Sequence, residues 1–114
     1  MNNYIRLQNS RYGKWFNGKT LYRRMISSTA PKVTTDNTFV AKSHYWADKT
    51  VEDSIIEFAY LENSQNQRQP LPYTSNSGST IKCFVNAENS IEIVTNSKAY
   101  SEVPVMFSIL YTKK

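Results

Sequence analysis

One histidine and one cysteine stand among 114 residues. Nucleophilic chemistry of the Ser-His-Asp or Cys-His kind would therefore have to run through His44 or Cys83. Cys83 lies in "TIKCFVN", two residues from both Ile81 and Val85, the setting of a buried cysteine acting as a small hydrophobe. His44, between Ser43 and Tyr45, reads as a loop or packed histidine. A lone His and a lone Cys cannot supply the ligand spacing of a zinc site. Asp48, Glu52 and Asp53 of "DKTVED" lack the glycine and the spacing of an EF-hand loop. Asp53, Glu57, Glu88 and Glu92 are carboxylates available for glycoside hydrolysis, but nothing singles out a pair. No glycine-rich phosphate loop occurs. The expectation is a protein with no catalytic residues, no metal and no cofactor, and not an enzyme.

Recognition chemistry is better supplied. A sugar site in a β protein combines a flat aromatic ring for the C–H faces with amides and hydroxyls for the ring OH groups. Four stretches carry both: "SHYW", "NSQNQRQ", "YTSNSGS" and "NSKAYSE". They make Tyr45, Trp46, Gln67, Arg68, Tyr73, Asn76 and Tyr100 the candidate ligand-binding residues, with structural packing the alternative for each. Arginine also suits an anionic polymer, because its planar fork matches phosphate.

Such loops need a scaffold. The chain is one domain long and can bury roughly two-thirds of its unfolded surface. It is 39% hydrophobic, 13% aromatic and only 20% charged, with much Asn, Ser and Thr, a composition of strands and polar loops rather than helical bundles. A single cysteine excludes an intrachain disulfide. No segment approaches the roughly 18 apolar residues of a membrane span. "MNNYIRLQNS" has no apolar core of a secretory signal, so synthesis in a cytoplasm without a signal peptide is expected.

The net charge of +5 is unevenly placed. Residues 1–35 hold seven bases and no acid, whereas residues 36–114 hold the other seven bases and all nine acids, giving +7 and −2. Aromatics interleaved with bases suit single-stranded nucleic acid. The bases are spread singly between apolar residues, though, and do not form one stripe, so nucleic acid is not the expected partner.

"KWFNGKTLYRR" predicts a tight hairpin, because Asn17-Gly18 favours the positive φ of a type I′ turn. Phe16 would pair with Lys19 and Trp15 with Thr20, placing Trp15, Tyr22 and Ile26 toward the core. "SIIEFAYLE" alternates, with Ile56, Phe58 and Tyr60 on one face and Ile55, Glu57, Ala59 and Leu61 on the other. "TIKCFVN" puts Ile81, Cys83 and Val85 on one side; "SIEIVTN" sets Ile91 and Ile93 opposite Glu92 and Val94. A short helical turn is expected at most near residues 46–53. Short strands between Asn, Ser and Gly turns indicate an antiparallel sandwich or barrel. In "VPVMFSILYTK", Val105, Phe107, Ile109 and Tyr111 face one way, and Met106 and Leu110 the other. Either this strand is central and covered on both sides, or Met106 and Leu110 meet another subunit.

Several segments, in order, resemble the C-terminal receptor-binding head of tailed-bacteriophage and prophage tail-fibre proteins. "GKWFNGKTLYRRMI" is similar to that family's opening strand pair. "VEDSIIEFAYLEN", "QPLPYTSNSGSTIKCFVN" and "NSIEIVTN" resemble its following strands, and "VPVMFSILYTKK" its closing Tyr-Thr-Lys ending. The resemblance spans residues 13–114 and makes residues 1–12 a short extension or the remnant of a stalk. It implies an all-β, antiparallel β-sandwich of jelly-roll-like form, a homotrimer in a virion tail or prophage-derived particle. Its partners would be other tail-fibre or baseplate proteins and a saccharide or cell-wall polymer on the bacterial host. A trimeric fibre cap without a ligand and a basic nucleic-acid-binding β domain are the alternatives.

Overall fold

Alternating apolar side chains make a strand with one face for a core, and the last segment of this chain is the most regular case. In the computed structural model, which describes residues 10–14 (by their backbone), 18–63 and 65–114, that segment is the centre of the larger of two sheets. The strands are β1 (Ser10–Lys14), β2 (Thr20–Thr29), β3 (Val40–His44), β4 (Val51–Glu62), β5 (Arg68–Pro70), β6 (Tyr73–Thr74), β7 (Thr80–Val85), β8 (Ile91–Thr95) and β9 (Pro104–Lys113). A 3-10 turn at Lys98–Tyr100 is the only helical element among the described residues. One sheet has the order β1-β2-β9-β4-β5 and the other β3-β8-β7-β6. All pairings are antiparallel. The chain is all-β with two antiparallel sheets.

The sheets share one core, a sandwich-like arrangement. Val105, Phe107, Ile109 and Tyr111 of β9 meet Ile81, Ile91 and Ile93 of the smaller sheet, with Trp46 and Val51 closing one side. Tyr22 stacks on Tyr111 at 5.5 Å, and Trp46 meets the same ring edge-on at 5.3 Å. The alternation expected in β7, β8 and β9 is present: Cys83 and Val85 pack on the core beside Ile81, and Ile91 and Ile93 are buried.

Two expectations are corrected. The first hairpin forms, but Lys14 pairs with Thr20, so five residues rather than two connect its strands. Gly18 takes φ +85°, a conformation that glycine adopts without steric cost. Trp15, Phe16 and Asn17 lie outside the described residues. In β4 the strict alternation breaks. Ile56 opposes Ile109, yet Phe58 opposes Ser108 and Ala59 opposes Phe107, so a bulge at Glu57 reverses the phase. Ile56, Ala59 and Leu61 therefore serve the core, while Ile55 and Phe58, 49% and 40% exposed, lie outside. No helical turn forms at residues 46–53, within the expectation of at most one. The Asp48 carboxylate accepts from the Thr50 amide at 2.7 Å, a local turn that competes with helix, and β4 starts at Val51.

The bulge has a polar counterpart. Arg23 of β2 and Glu57 of β4 flank β9 and join across it at 2.8 Å. Ser108 beneath them accepts from Arg23 Nε and donates to Glu57 Oε1, both at 2.8 Å, and is wholly buried. A larger residue at position 108 would hold the two charged arms apart. Lys19 forms an ion pair with Glu52 of β4. Two bases of the acid-free first third are thus matched by acids from later in the chain. No helix among the described residues is long and apolar enough to cross a membrane.

Candidate functional site

Strand β4 ends at Glu62, and the chain must reverse into β5. Asn63 makes that turn: its side-chain oxygen accepts from the amides of Gln65 and Gln67, at 2.8 and 3.0 Å, and its amide nitrogen donates to Gln67 Oε1 at 3.0 Å. Asn66 takes φ +60°, a conformation that Asn tolerates better than most residues. Facing this hairpin is the corner that leads into β9. Ser97 caps the 3-10 turn by accepting from the Ala99 amide. The Val103 amide donates to the Tyr100 carbonyl, and the Ala30 amide to the Val103 carbonyl at 2.8 Å. Both walls are therefore held by hydrogen bonds, the first through the Asn63 side chain and the second through Ser97 and backbone groups.

Between them lies a cleft of about 510 Å³, lined by Leu61, Glu62, Asn63, Tyr100, Val103 and Pro104. That is within the usual size range of small-molecule sites. The Tyr100 ring is braced edge-on by Tyr73, 6.5 Å between centroids. Burial, with Tyr73 nearby, raises the Tyr100 hydroxyl above its ordinary value. A smaller depression of about 140 Å³ adjoins, sharing Glu62 and Pro104 and adding Ser27, Tyr60 and Met106. Arg68 spans the ridge: its Nε lies 3.5 Å from Glu62, and its guanidinium sits 5.6 Å from the centre of the Tyr60 ring. Ring faces, a carboxylate, amides and a guanidinium thus converge at one end of the sheets. This set can bind a polyhydroxylated ligand through C–H contacts and directed hydrogen bonds.

The candidate residues from the sequence separate into groups. Only Tyr100 of the expected residues lines the cleft; Tyr73 braces its ring, Gln67 bonds to the lining Asn63, and Arg68 pairs with the lining Glu62. Tyr45 is 81% exposed just after β3, and Asn76 is exposed in the turn before β7; neither lines the cleft. Trp46 is only 8% exposed and belongs to the core, so its ring is not a sugar platform. Met106 and Leu110 are half-buried on the outer face of the large sheet, and Met106 also lines the smaller depression. Glu62, Asn63 and Tyr60 were not among the expected residues. The available signal was "NSQNQRQ" itself, which begins at Asn63 and follows Tyr60 and Glu62 where a strand end and a turn must meet.

His44 and Cys83 lie apart from this cleft. Burial pushes the Cys83 thiol up to about 11, leaving it protonated and a poor nucleophile. No group of three His, Cys, Asp or Glu side chains able to hold a metal occurs among the described residues. Comparison of the chain with family models, curated proteins and solved structures finds no match.

Proposed function

We propose that this chain is the receptor-binding head of a phage or prophage tail fibre, which takes a saccharide or wall polymer of the bacterial host in the cleft at Tyr100. The observation that carries the binding role is the convergence of Tyr100, Glu62 and Asn63 around about 510 Å³, with Arg68 and Tyr60 on the adjoining ridge. The tail-fibre assignment rests on the ordered resemblance over residues 13–114. Two antiparallel sheets are compatible with a jelly-roll-like head, and the half-buried Met106 and Leu110 with a homotrimer. In this role the protein binds and does not catalyse, and it acts at a virion tail together with other fibre or baseplate proteins.

The test is binding of the intact protein to purified bacterial surface polysaccharides on an array, repeated with Glu62→Gln and Arg68→Ala. Both side chains are solvent-exposed, so the fold should survive the changes. Saturable binding that falls about tenfold or more in each variant is the expected result, equivalent to roughly one charge-assisted hydrogen bond. Binding that is unaffected by both changes would move the site elsewhere. No binding to any polymer would leave the fibre-cap alternative.

A further inference from the structure

The smaller sheet turns one face to the core, where Ile91, Ile93 and Thr95 of β8 and Ile81 of β7 are wholly buried. Alternation then puts Glu92 and Val94 of β8, Lys82 and Phe84 of β7, and Ala41 and Ser43 of β3 on the outer face. The register sets them in two rows. Ser43, Glu92 and Phe84 stand opposite one another across three strands, and Ala41, Val94 and Lys82 form the next row. Side chains opposite each other on neighbouring strands are about 5 Å apart, so each row is a line of direct neighbours. Tyr45 follows His44, which bonds to Ser28 of the other sheet, and precedes the buried Trp46, so its own ring lies on the outer face. Phe39 lies beside the second row, with Lys82 Nζ 5.9 Å from its ring centre.

Three rings on this face are exposed, Phe39 by 58%, Tyr45 by 81% and Phe84 by 44%, and none belongs to the core. Among them sits a carboxylate that the fold fixes but only half uses. Glu92 is half-buried, and its Oε2 accepts from Asn86 Nδ2 at 3.1 Å. Asn86 is held in turn, because its side-chain oxygen accepts from the Glu88 and Ser90 amides at 2.9 and 3.1 Å. Glu92 forms no ion pair among the described residues, although Lys82 stands one row away. Neither its Oε1 nor the Ser43 hydroxyl has a hydrogen-bond partner among them.

We propose that the outer face of the smaller sheet is a second saccharide site, which takes an uncharged, linear, β-linked glycan chain. Phe84 and Tyr45 offer apolar ring faces to the sugar C–H groups, while Glu92 and Ser43 take the ring hydroxyls between them. A carboxylate only accepts, so the ligand must bring donors, and sugar hydroxyls are donors. Six residues of extended chain separate Phe39 from Tyr45, roughly 20 Å, a span for several sugar units rather than one. A β-linked pyranose chain repeats flat C–H faces along such a length. The single positive and single negative charge, Lys82 and Glu92, complement an uncharged chain, and Glu92 in the middle repels a nucleic-acid phosphate. A protein partner fits less well, because the centre of a protein interface is depleted of charged residues. The face shares no lining residue with the Tyr100 cleft, so the two sites stand or fall separately.

The probe is a β-1,4-linked N-acetylglucosamine hexamer, with the monosaccharide beside it, titrated calorimetrically into the intact protein and into a Glu62→Gln, Arg68→Ala double variant. The double variant disables the cleft and leaves this face whole. Saturable binding of the hexamer is expected in both, about tenfold or more tighter than the monosaccharide, because a chain meets more than one ring. Phe84→Ala should weaken it about tenfold or more, and Phe84→Trp should retain it. Glu92→Gln keeps an acceptor for Asn86 but loses the charge, and should weaken binding severalfold. Phe58→Ala, a similarly exposed ring on the other sheet, should change nothing. No saturable binding in the double variant would overturn the site, as would equal binding in folded Phe84→Ala and Glu92→Gln. A native mass that rises with concentration and returns to one chain in Phe84→Ala would overturn it too, since a second copy would then cover the face.

Discussion

At the scale of the residue, environment decides what a side chain can do. Cys83 was legible from "TIKCFVN" as a buried small hydrophobe, because period-two spacing alone places it beside Ile81 and Val85. Trp46 was not legible, since three ring side chains in a row within a polar stretch carry no period; only the fold brings it against Tyr111. The Cys83 thiol supports a prediction with a definite sign. Burial raises it from 9.0 to about 11, so the folded protein keeps this proton at a pH where the unfolded chain has lost it. The associated stability is intact below about pH 9 and is lost as pH rises toward about 11. Urea unfolding of the protein and of Cys83→Ala across that range should give curves that converge toward the alkaline end; parallel curves would refute the assignment. Thiol alkylation at pH 8 should likewise be about a hundredfold slower in the native protein than in urea, in proportion to thiolate.

At the scale of the element, strand identity was readable and phase was not. The apolar runs of β4, β7, β8 and β9 each mark a strand, because strand periodicity is a local property. The bulge at Glu57 is invisible locally: the residue it meets, Arg23, is distant in sequence and reaches Glu57 over Ser108. The hairpin register escaped for a related reason, because Asn-Gly allows both a two-residue loop and a longer one. The bulge makes an asymmetric prediction. Ser108→Ala removes two hydrogen bonds but leaves Arg23 and Glu57 joined, so a loss of about 1–2 kcal/mol is expected in urea unfolding. Deleting Glu57 removes the extra residue and leaves Ile56, Ala59 and Leu61 in strict alternation on the core face, with Phe58 and Tyr60 outside. The fold should therefore survive with a cooperative transition, and the loss should be confined to the contacts of Glu57 with Arg23 and Ser108, at most about 3–5 kcal/mol. A deletion variant with no cooperative transition would show that the bulge itself is needed to seat β4.

At the scale of the whole molecule, the question is what covers the outer face of the five-stranded sheet. Ile55 and Phe58 are exposed there, Met106 and Leu110 half-buried, and Arg23 and Glu57 neutralise each other at its centre. The face combines exposed apolar side chains with a matched charge pair at its centre. A large exposed apolar face on a folded chain marks a contact site more often than chance. It also joins the two sequence alternatives for β9: the strand is central within its sheet, yet its outer apolar residues remain open to a partner. If the head is a homotrimer built on this face, light scattering should give a native mass near three chains. Leu110→Lys together with Phe58→Lys should reduce that mass to one chain with an unchanged far-ultraviolet CD spectrum, because neither residue belongs to the shared core. A native mass of one chain at every concentration would remove the trimer, and a trimer that survives both substitutions would place its contacts on another face.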